Sequence, residues 1–358
     1  MILAGFQGDA ETPRLAWLEK QSLDSEPPQD AEALGDMLGE LVSSAKADKS
    51  PATSLIYRPD FNLVQTEAPD GELGGEELRQ AMKWRVRDLL DFSPESGVVD
   101  VLSVPDLEIP GEGPIVLVAA APQATVKARV QAGKEAGVDL AYVDIPDMAH
   151  RNLARLLPEP AYGTCLLVLD GQSSLLSVTK GGELWFSRHL GMDVNRELER
   201  VAEKVGVEAD EAQRMRVEYG LHGDSVSAGG ELGGPSPEEL EELRLEEEDE
   251  ESDPLKETLE DFADRLALEV QRSLDYYDSR YRQAAVRKIY MAGEGARIEG
   301  LEAFLEDALG VEFEFFHPLD YMEASDTLTE GKFDSATPVH EGIYAIGAGL
   351  RMMDPEFR

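Results

Sequence analysis

The chain has 358 residues, a hydrophobic fraction of 42%, one cysteine, and a net charge of −40 from 33 basic and 73 acidic side chains. This length exceeds what one hydrophobic core usually serves, so we expect two or three domains. The charge argues against a nucleic-acid partner, because an acidic surface repels phosphates before short-range contacts form.

The sequence also indicates a cellular compartment. Its longest apolar stretch, Ile115 to Ala121, is far shorter than the roughly 20 residues that span a bilayer. The first residues lack the basic segment and long apolar run of a secretory signal. The single cysteine, Cys165, excludes an internal disulfide and fits a reducing environment. We therefore expect a cytoplasmic protein without a membrane span of its own.

The acidic residues are spread along the chain. The richest stretch, Glu238 to Asp253, holds eleven carboxylates and one arginine, so it supplies −10 and leaves −30 for the rest. We interpret this charge as a solvated acidic surface suited to high salt, as in halophilic proteins. The alternative is a charged docking face for a basic partner.

Hydrophobic periodicity predicts alternating strands and helices up to about residue 160. The predicted strands are Ile2 to Phe6, Arg14 to Glu19, Ser54 to Tyr57, Gly97 to Val104, Pro114 to Ala120 and Val138 to Ile145. The predicted helices are Asp30 to Ser44, Gly75 to Asp91 and Pro122 to Ala136. The pattern is typical of an α/β domain.

After two prolines and a glycine within residues 158–163, a second α/β pattern begins. Its predicted strands are Thr164 to Leu169, Ser173 to Thr179 and Glu183 to His189, which form a meander, and later Val286 to Met291 and Val311 to Phe316. Its predicted helices are Asp193 to Val205, Ala209 to Tyr219, Pro254 to Tyr281, Leu301 to Leu309 and Val339 to Met352. Residues 222–253 have too few apolar groups to order, and we predict a flexible insertion there.

Most catalytic signatures are missing from the sequence. The five histidines, His150, His189, His222, His317 and His340, show no paired spacing for a metal. Cys165 lies in an apolar strand, which favours an inert buried thiol. Neither Gly-Lys pair, at Gly133 and Gly331, has the upstream glycine of a Walker A motif. We predict no catalytic residue and no metal site.

Two glycine turns remain as candidates for ligand binding. The first is Asp170, Gly171, Gln172, Ser173 and Ser174 between two strands, where backbone N–H groups and hydroxyls can face a phosphate. An ordinary hairpin turn explains the same residues equally well. The second is Met291 to Gly300, MAGEGARIEG, between a strand and a helix. Such a turn can admit a nucleotide near a helix N-terminus, but many α/β connections look the same.

Several segments together resemble one known family. EVQRSLDYYDSRYRQ at Glu269 to Gln283, VRKIYMAGEGARIEGLEAFLEDALG at Val286 to Gly310, and AIGAGLR at Ala345 to Arg351 resemble the PilM-type actin-like proteins of type IV pilus assembly. Residues 78–105, 142–157 and 181–191 are similar to the MshI branch of this family, from MSHA-pilus biogenesis. The likeness covers about residues 75 to 220 and 254 to 352.

The resemblance implies an actin-like, ribonuclease H-type fold in two lobes, with mixed sheets flanked by helices. Residues 1–160 would form the first lobe with an inserted α/β subdomain. Residues 161–358 would form the second lobe, carrying the insertion at about 222–253 and a last helix that packs back on the first lobe.

The resemblance further implies a cytoplasmic scaffold at the inner face of the inner membrane. This scaffold would dock the tail of a PilN-like bitopic membrane protein. Homo-oligomer formation stays open.

The resemblance also assigns the two turns to a nucleotide cleft. The cofactor-binding candidates are Asp170, Gly171, Ser173, Ser174, Gly293 and Gly295. All the nucleotide elements depart from the family pattern. The first loop, Phe6 to Glu11, does not supply the family's acidic, glycine-containing loop followed by a small hydroxyl residue and a basic one. Leu169 stands where the family has an aspartate that orients the metal, and strand alternation would turn Asp170 to the other face. Glu294 splits the paired glycines and would repel a polyanion.

We therefore predict an actin-like scaffold with weak or lost nucleotide binding and no cofactor. The first alternative is an active ATPase or phosphotransferase of the actin-like superfamily, using ATP and magnesium with Asp170 as its carboxylate. A further alternative is the cytoplasmic domain of a related secretion-platform protein, although such chains usually continue into a membrane helix and this one ends at Arg358.

Overall fold

The computed structural model describes residues 1–8, 12–20, 31–47, 49–69, 71, 73–104, 106–171, 174–221, 254–281, 285–326, 328 and 339–353. The strands are β1 Ile2–Gln7, β2 Arg14–Lys20, β3 Pro51–Leu55, β4 Asn62–Glu67, β5 Gly97–Ser103, β6 Ile115–Pro122, β7 Asp139–Asp144, β8 Thr164–Val168, β9 Leu175–Lys180, β10 Glu183–His189, β11 Lys288–Ala292, β12 Glu312–Phe315 and β13 Glu323–Ala324. The helices are α1 Ala31–Ser44, α2 Gly75–Arg85, α3 Gln123–Glu135, α4 Pro146–Ala154, α5 Val194–Val205, α6 Ala209–Glu218, α7 Pro254–Tyr281, α8 Leu301–Leu309 and α9 Ile343–Met353.

The largest sheet belongs to the second half of the chain. Its strand order is β10-β9-β8-β11-β12. The first three strands are antiparallel, as the predicted meander requires, and β11 and β12 run parallel to β8. Every residue of β8 is buried, because helices cover this sheet and its central strand can be apolar on both faces.

The first half of the chain supplies most strands of three smaller sheets. Antiparallel β1 and β2 are joined by β13, which runs parallel to β2, while β3 pairs with β7 in parallel. The third sheet, in the order β4-β6-β5, is antiparallel. Helix α2 packs on this sheet and buries Met82 and Val86 against Val116 and Val118.

Helix α9, near the end of the chain, lies against α4, β3 and β1. Gly347 makes this contact close, because a Cβ atom added there would lie 2.6 Å from the carbonyl oxygen of Ala149. The Asn152 amide donates to the Gly347 carbonyl over 2.8 Å, and the Arg351 guanidinium reaches the Asp144 carboxylate over 2.6 Å. Two helices far apart in sequence are thus held together by packing and polar contacts.

Several predicted element boundaries are wrong. Strand β3 begins at Pro51, not at Ser54, and α2 ends at Arg85, where a short 3-10 turn replaces its predicted last turn. No sequence pattern predicted β4, α4 or β13. The insertion predicted at residues 222–253 lies outside the described residues.

Membrane crossing can be assessed from helix length and hydropathy. Across the described residues, no helix is both long enough and apolar enough to cross a bilayer. Even α7, with 28 residues, carries charged side chains along its exposed face.

Candidate functional site

A cavity of about 1440 Å³ lies between the two halves of the chain. The first half contributes β1, β3 and Tyr57, and the second contributes Asp170, Gly171 and Asn195. The turn after β11 adds Glu294 and Arg297. The two glycine turns singled out in the sequence therefore lie at one cavity.

The loop after β8 and the turn after β11 are joined by main-chain hydrogen bonds. The Leu169 N–H donates to the Ala292 carbonyl, and the Leu169 carbonyl accepts from the Gly295 N–H, both over 2.9 Å. The Leu169 side chain is fully buried and belongs to the hydrophobic core. The position to which the sequence resemblance assigns a metal-orienting aspartate therefore holds an apolar core residue.

Asp170 lies on the cavity, so the expectation that it faces away was wrong. Strand alternation stops at Val168, where β8 ends, so it does not set the direction of the Asp170 side chain. Burial raises the pKa of Tyr57, and the nearby Asp170 carboxylate raises it further, while Arg129 opposes both. Asp170 and Tyr57 therefore approach each other from opposite halves.

The rest of the first turn is occupied by its own chain. A Cβ atom on Gly171 would lie 2.3 Å from the Asn195 amide nitrogen, so this side chain already covers the glycine. The Ser174 hydroxyl, 3% exposed, donates to the Asp170 carbonyl over 3.3 Å, which stabilises the turn. Ser173 lies outside the described residues.

The two glycines of the second turn have packing roles. Gly293 has a φ of 90° and would place a Cβ atom 2.4 Å from the Leu169 carbonyl oxygen. A Cβ atom on Gly295 would lie 2.5 Å from a methyl group of Val194, the first residue of α5. Only glycine allows this turn to lie so close to the β8 loop and to α5.

The Glu294 side chain is held by α6 and by its own turn. Arg297 Nη1 lies 3.3 Å from Glu294 Oε1, and Arg216 Nη2 lies 3.6 Å from the same oxygen. The Gln213 amide donates to this oxygen as well. Arg216 also donates to the Glu294 carbonyl over 3.0 Å and to Gln213 Oε1 over 2.7 Å. These contacts link α6 to the turn.

Burial and charge oppose each other at these residues. Burial raises the pKa of Glu294, and the two arginines counteract the shift. Burial lowers the pKa of Arg216 to about 10. The two guanidinium groups lie beside the Glu294 carboxylate, and the Glu341 carboxylate also acts on it, so the arginines offset part of the expected repulsion of a polyanion by Glu294. The sequence analysis missed Gln213, Arg216 and Arg297, although Gln213 and Arg216 share a helix face at spacing i, i+3.

The other sequence candidates lie away from the cavity or outside the described residues. Cys165 is fully buried, and burial raises the pKa of its thiol, which agrees with an inert side chain. His317 and His340 lie with their rings 5.0 Å apart, a proximity that their sequence positions did not indicate. Within the described ranges, no group of three or more potential ligands could hold a metal ion. The first loop is described only to Gly8 and from Thr12 onward.

Comparisons with known proteins agree on the fold. Residues 235–353 match the family model described as "Type IV pilus assembly protein PilM", about a third of the chain. No curated protein matches the sequence. Among solved structures, a chain of the "PilM-PilN type IV pilus biogenesis complex" is 21% identical with a TM-score of 0.72, and the match covers 99% of this chain and 96% of that one.

A more distant match is the ethanolamine utilization protein EutJ from Carboxydothermus hydrogenoformans. It is 11% identical with a TM-score of 0.48, over 98% of this chain and 89% of that chain. The full-length superposition on the PilM–PilN structure decides the architecture. The chain has an actin-like fold, with mixed sheets flanked by helices. The predicted fold class is confirmed.

Proposed function

We propose that this chain is a PilM-like scaffold of a type IV pilus assembly platform, with weak or lost nucleotide binding. The observation that carries the proposal is the superposition of 99% of the chain on the PilM–PilN structure. The family-model match over residues 235–353 supports the same assignment. The segments similar to the MshI branch favour an MSHA-type pilus within this group.

The state of the cleft supports weak or lost nucleotide binding. The aspartate position of the second phosphate loop holds the core residue Leu169, which offers no ligand to a magnesium ion. The Asn195 and Val194 side chains lie against the turn glycines. Contacts of Gln213 with Glu294 close the space between α6 and the turn. These contacts cover the turn glycines, which would otherwise bring the backbone close to a nucleotide.

The proposed partner is a PilN-like bitopic inner-membrane protein, whose cytoplasmic tail docks on the first lobe, residues 1–160. The similar solved structure is a complex of PilM with PilN, which supports this partner. The scaffold would lie in the cytoplasm, at the inner face of the inner membrane. Its net charge of −40 disfavours nucleic acid and would attract a basic tail.

Isothermal titration calorimetry with a synthetic peptide tests the docking role. The peptide is the cytoplasmic N-terminus of the PilN-like protein from the same organism, and a scrambled peptide of equal charge is the control. We expect saturable 1:1 binding of the native peptide alone. Equal heats from both peptides, or none from either, would contradict the proposal.

The second candidate function is an ATP-binding ATPase or phosphotransferase. Two observations favour it: Asp170 lies on the cavity, and two arginines offset the Glu294 charge. Under this alternative, Asp170→Ala would abolish magnesium-dependent ATP turnover by the full-length protein. Under the scaffold proposal, the native protein and the Asp170→Ala variant both hydrolyse ATP only at the background rate.

A further inference from the structure

Four side chains, Gln213, Arg216, Glu294 and Arg297, form what we call the Glu294 cluster. Arg216 and Gln213 come from α6, and the other two come from the turn after β11. Gln213, Glu294 and Arg297 line the cavity, and Arg216 lies behind them. The cluster therefore has a buried base and a face that a small ion can reach from the cavity.

Arg216 is the buried base of the cluster. Its side chain is 3% exposed, and its Nε atom has no hydrogen-bond partner among the described residues. A buried guanidinium usually uses its donors on a carboxylate or phosphate, because an unsatisfied buried donor destabilises the folded protein. Arg216 thus retains capacity to donate to an oxyanion.

The Glu294 carboxylate lies between the two arginines. Arg297 Nη1 lies 3.3 and 3.4 Å from the two carboxylate oxygens, and Arg216 Nη2 lies 3.6 Å from Oε1. The Gln213 amide donates to Oε1 as well. These donors therefore converge on one oxyanion, which in this structure is the Glu294 carboxylate.

We propose that Arg216 and Arg297 form an oxyanion-binding site in the cleft, which Glu294 fills from within the chain as a built-in competitor. The ligand class is a small carboxylate or phosphate, which takes the site when the Glu294 side chain rotates away. A tethered competitor has a high effective concentration, so external anions bind the native protein weakly. Anion binding at this site goes beyond the proposed scaffold role, and it does not require that the scaffold role is correct.

The test uses the full-length protein with Glu294→Ala, which vacates the site and leaves both arginines without their carboxylate. Melting temperatures are measured with sodium phosphate, sodium acetate, or sodium chloride at matched ionic strength. Removing Glu294 lowers Tm, and phosphate or acetate raises it again saturably, by about 2 °C at ten times the dissociation constant. The stronger of the two salts shows whether the site prefers phosphate or carboxylate.

Two further variants separate a specific site from general charge effects. Glu299→Ala removes an exposed carboxylate five residues away, so it makes the same charge change without vacating the site. Its Tm shows only the general effect of each salt, including the stabilisation of any folded protein by phosphate, and serves as the baseline for Glu294→Ala. Adding Arg297→Ala to Glu294→Ala removes half of the site and abolishes the specific anion effect.

Three results would overturn the inference. In the first, chloride raises the Tm of Glu294→Ala as much as phosphate and acetate do. In the second, the anion effect persists in the double variant, and in the third, neither phosphate nor acetate raises the Tm of Glu294→Ala. If Glu294→Ala does not fold, Glu294→Gln provides the same comparison. Its amide keeps the side-chain volume but leaves the arginines uncompensated, so phosphate or acetate, relative to chloride, must raise its Tm more than they raise the Tm of Glu299→Ala.

Discussion

At the scale of single residues, His150 is the clearest buried titratable group. It is fully buried, its Nδ1 lies 2.9 Å from the Ser177 hydroxyl, and its ring stacks on Tyr344 with centroids 5.6 Å apart. Burial lowers the pKa of His150 to about 3, although the neighbouring Asp147 carboxylate opposes this shift. The imidazole is therefore neutral in the folded protein at neutral pH.

This buried histidine makes stability depend on pH. An unfolded histidine has a pKa of about 6.5, so the unfolded chain binds a proton that the folded chain excludes between pH 6.5 and 3. The contribution of His150 is complete above pH 6.5 and decreases as the pH falls. At pH 4.5 the protonation of His150 in the unfolded chain alone lowers the free energy of unfolding by about 2 to 3 kcal/mol relative to pH 7.

The variant His150→Asn isolates this effect, because asparagine can still bond to Ser177 but does not titrate. Urea unfolding at pH 7 and pH 4.5 should show a smaller acid-induced loss in the variant than in the native protein. Equal losses would mean that the imidazole is protonated in the folded state or that other groups dominate.

At the scale of elements, the α4–α9 contact joins residues far apart in sequence. It depends on Gly347, whose backbone touches Ala149. Gly347→Ala should lower stability by about 1 to 3 kcal/mol, because the added methyl group forces two packed helices apart. The measurement is the change in Tm.

Gly39→Ala is the matched control for this substitution. Gly39 also lies within a helix, α1, but a Cβ atom there would be 3.7 Å from Ala136, an ordinary contact. Alanine favours a helix over glycine by up to about 1 kcal/mol, so Tm should stay the same or rise. A Gly347→Ala protein as stable as this control would contradict the close packing.

Sequence patterns predicted the elements with a strong period and missed those defined by tertiary contacts. The long α7 and the β8–β10 meander have regular apolar spacing, and both are confirmed. Strand β13 has only two residues, which exist as a strand because they pair with β2. Helix α4 is buried on nearly every side, so it shows no polar face, although Pro146 after an extended residue marks its start.

The candidate site was only partly predictable for a similar reason. The turn glycines were visible as motifs, and the structure brings both turns to one cavity. The side chains that fill the cleft come from α5 and α6, more than 20 residues after the first turn. Asn195 and Arg216 carry no local motif, and only the fold places them beside Gly171 and Glu294.

At the scale of the whole molecule, the net charge of −40 should make stability depend on salt. The carboxylates repel one another in the compact state, and salt screens this repulsion because the Debye length falls to about 3 Å at 1 M. We expect Tm to rise steadily from low salt to molar potassium chloride. An unchanged or falling Tm would remove the support for a surface suited to high salt.

The central claim is an actin-like scaffold that binds a membrane-protein tail and binds nucleotide weakly or not at all. The most direct measurement is the Tm of the full-length protein with either magnesium-ATP or the PilN-like N-terminal peptide. A ligand at 100 times its dissociation constant stabilises the folded state by about 2.7 kcal/mol, whereas one that does not bind adds nothing. The account predicts a clear increase with the peptide and none with millimolar magnesium-ATP. An increase with magnesium-ATP that is lost in Asp170→Ala, with no response to the peptide, would contradict it.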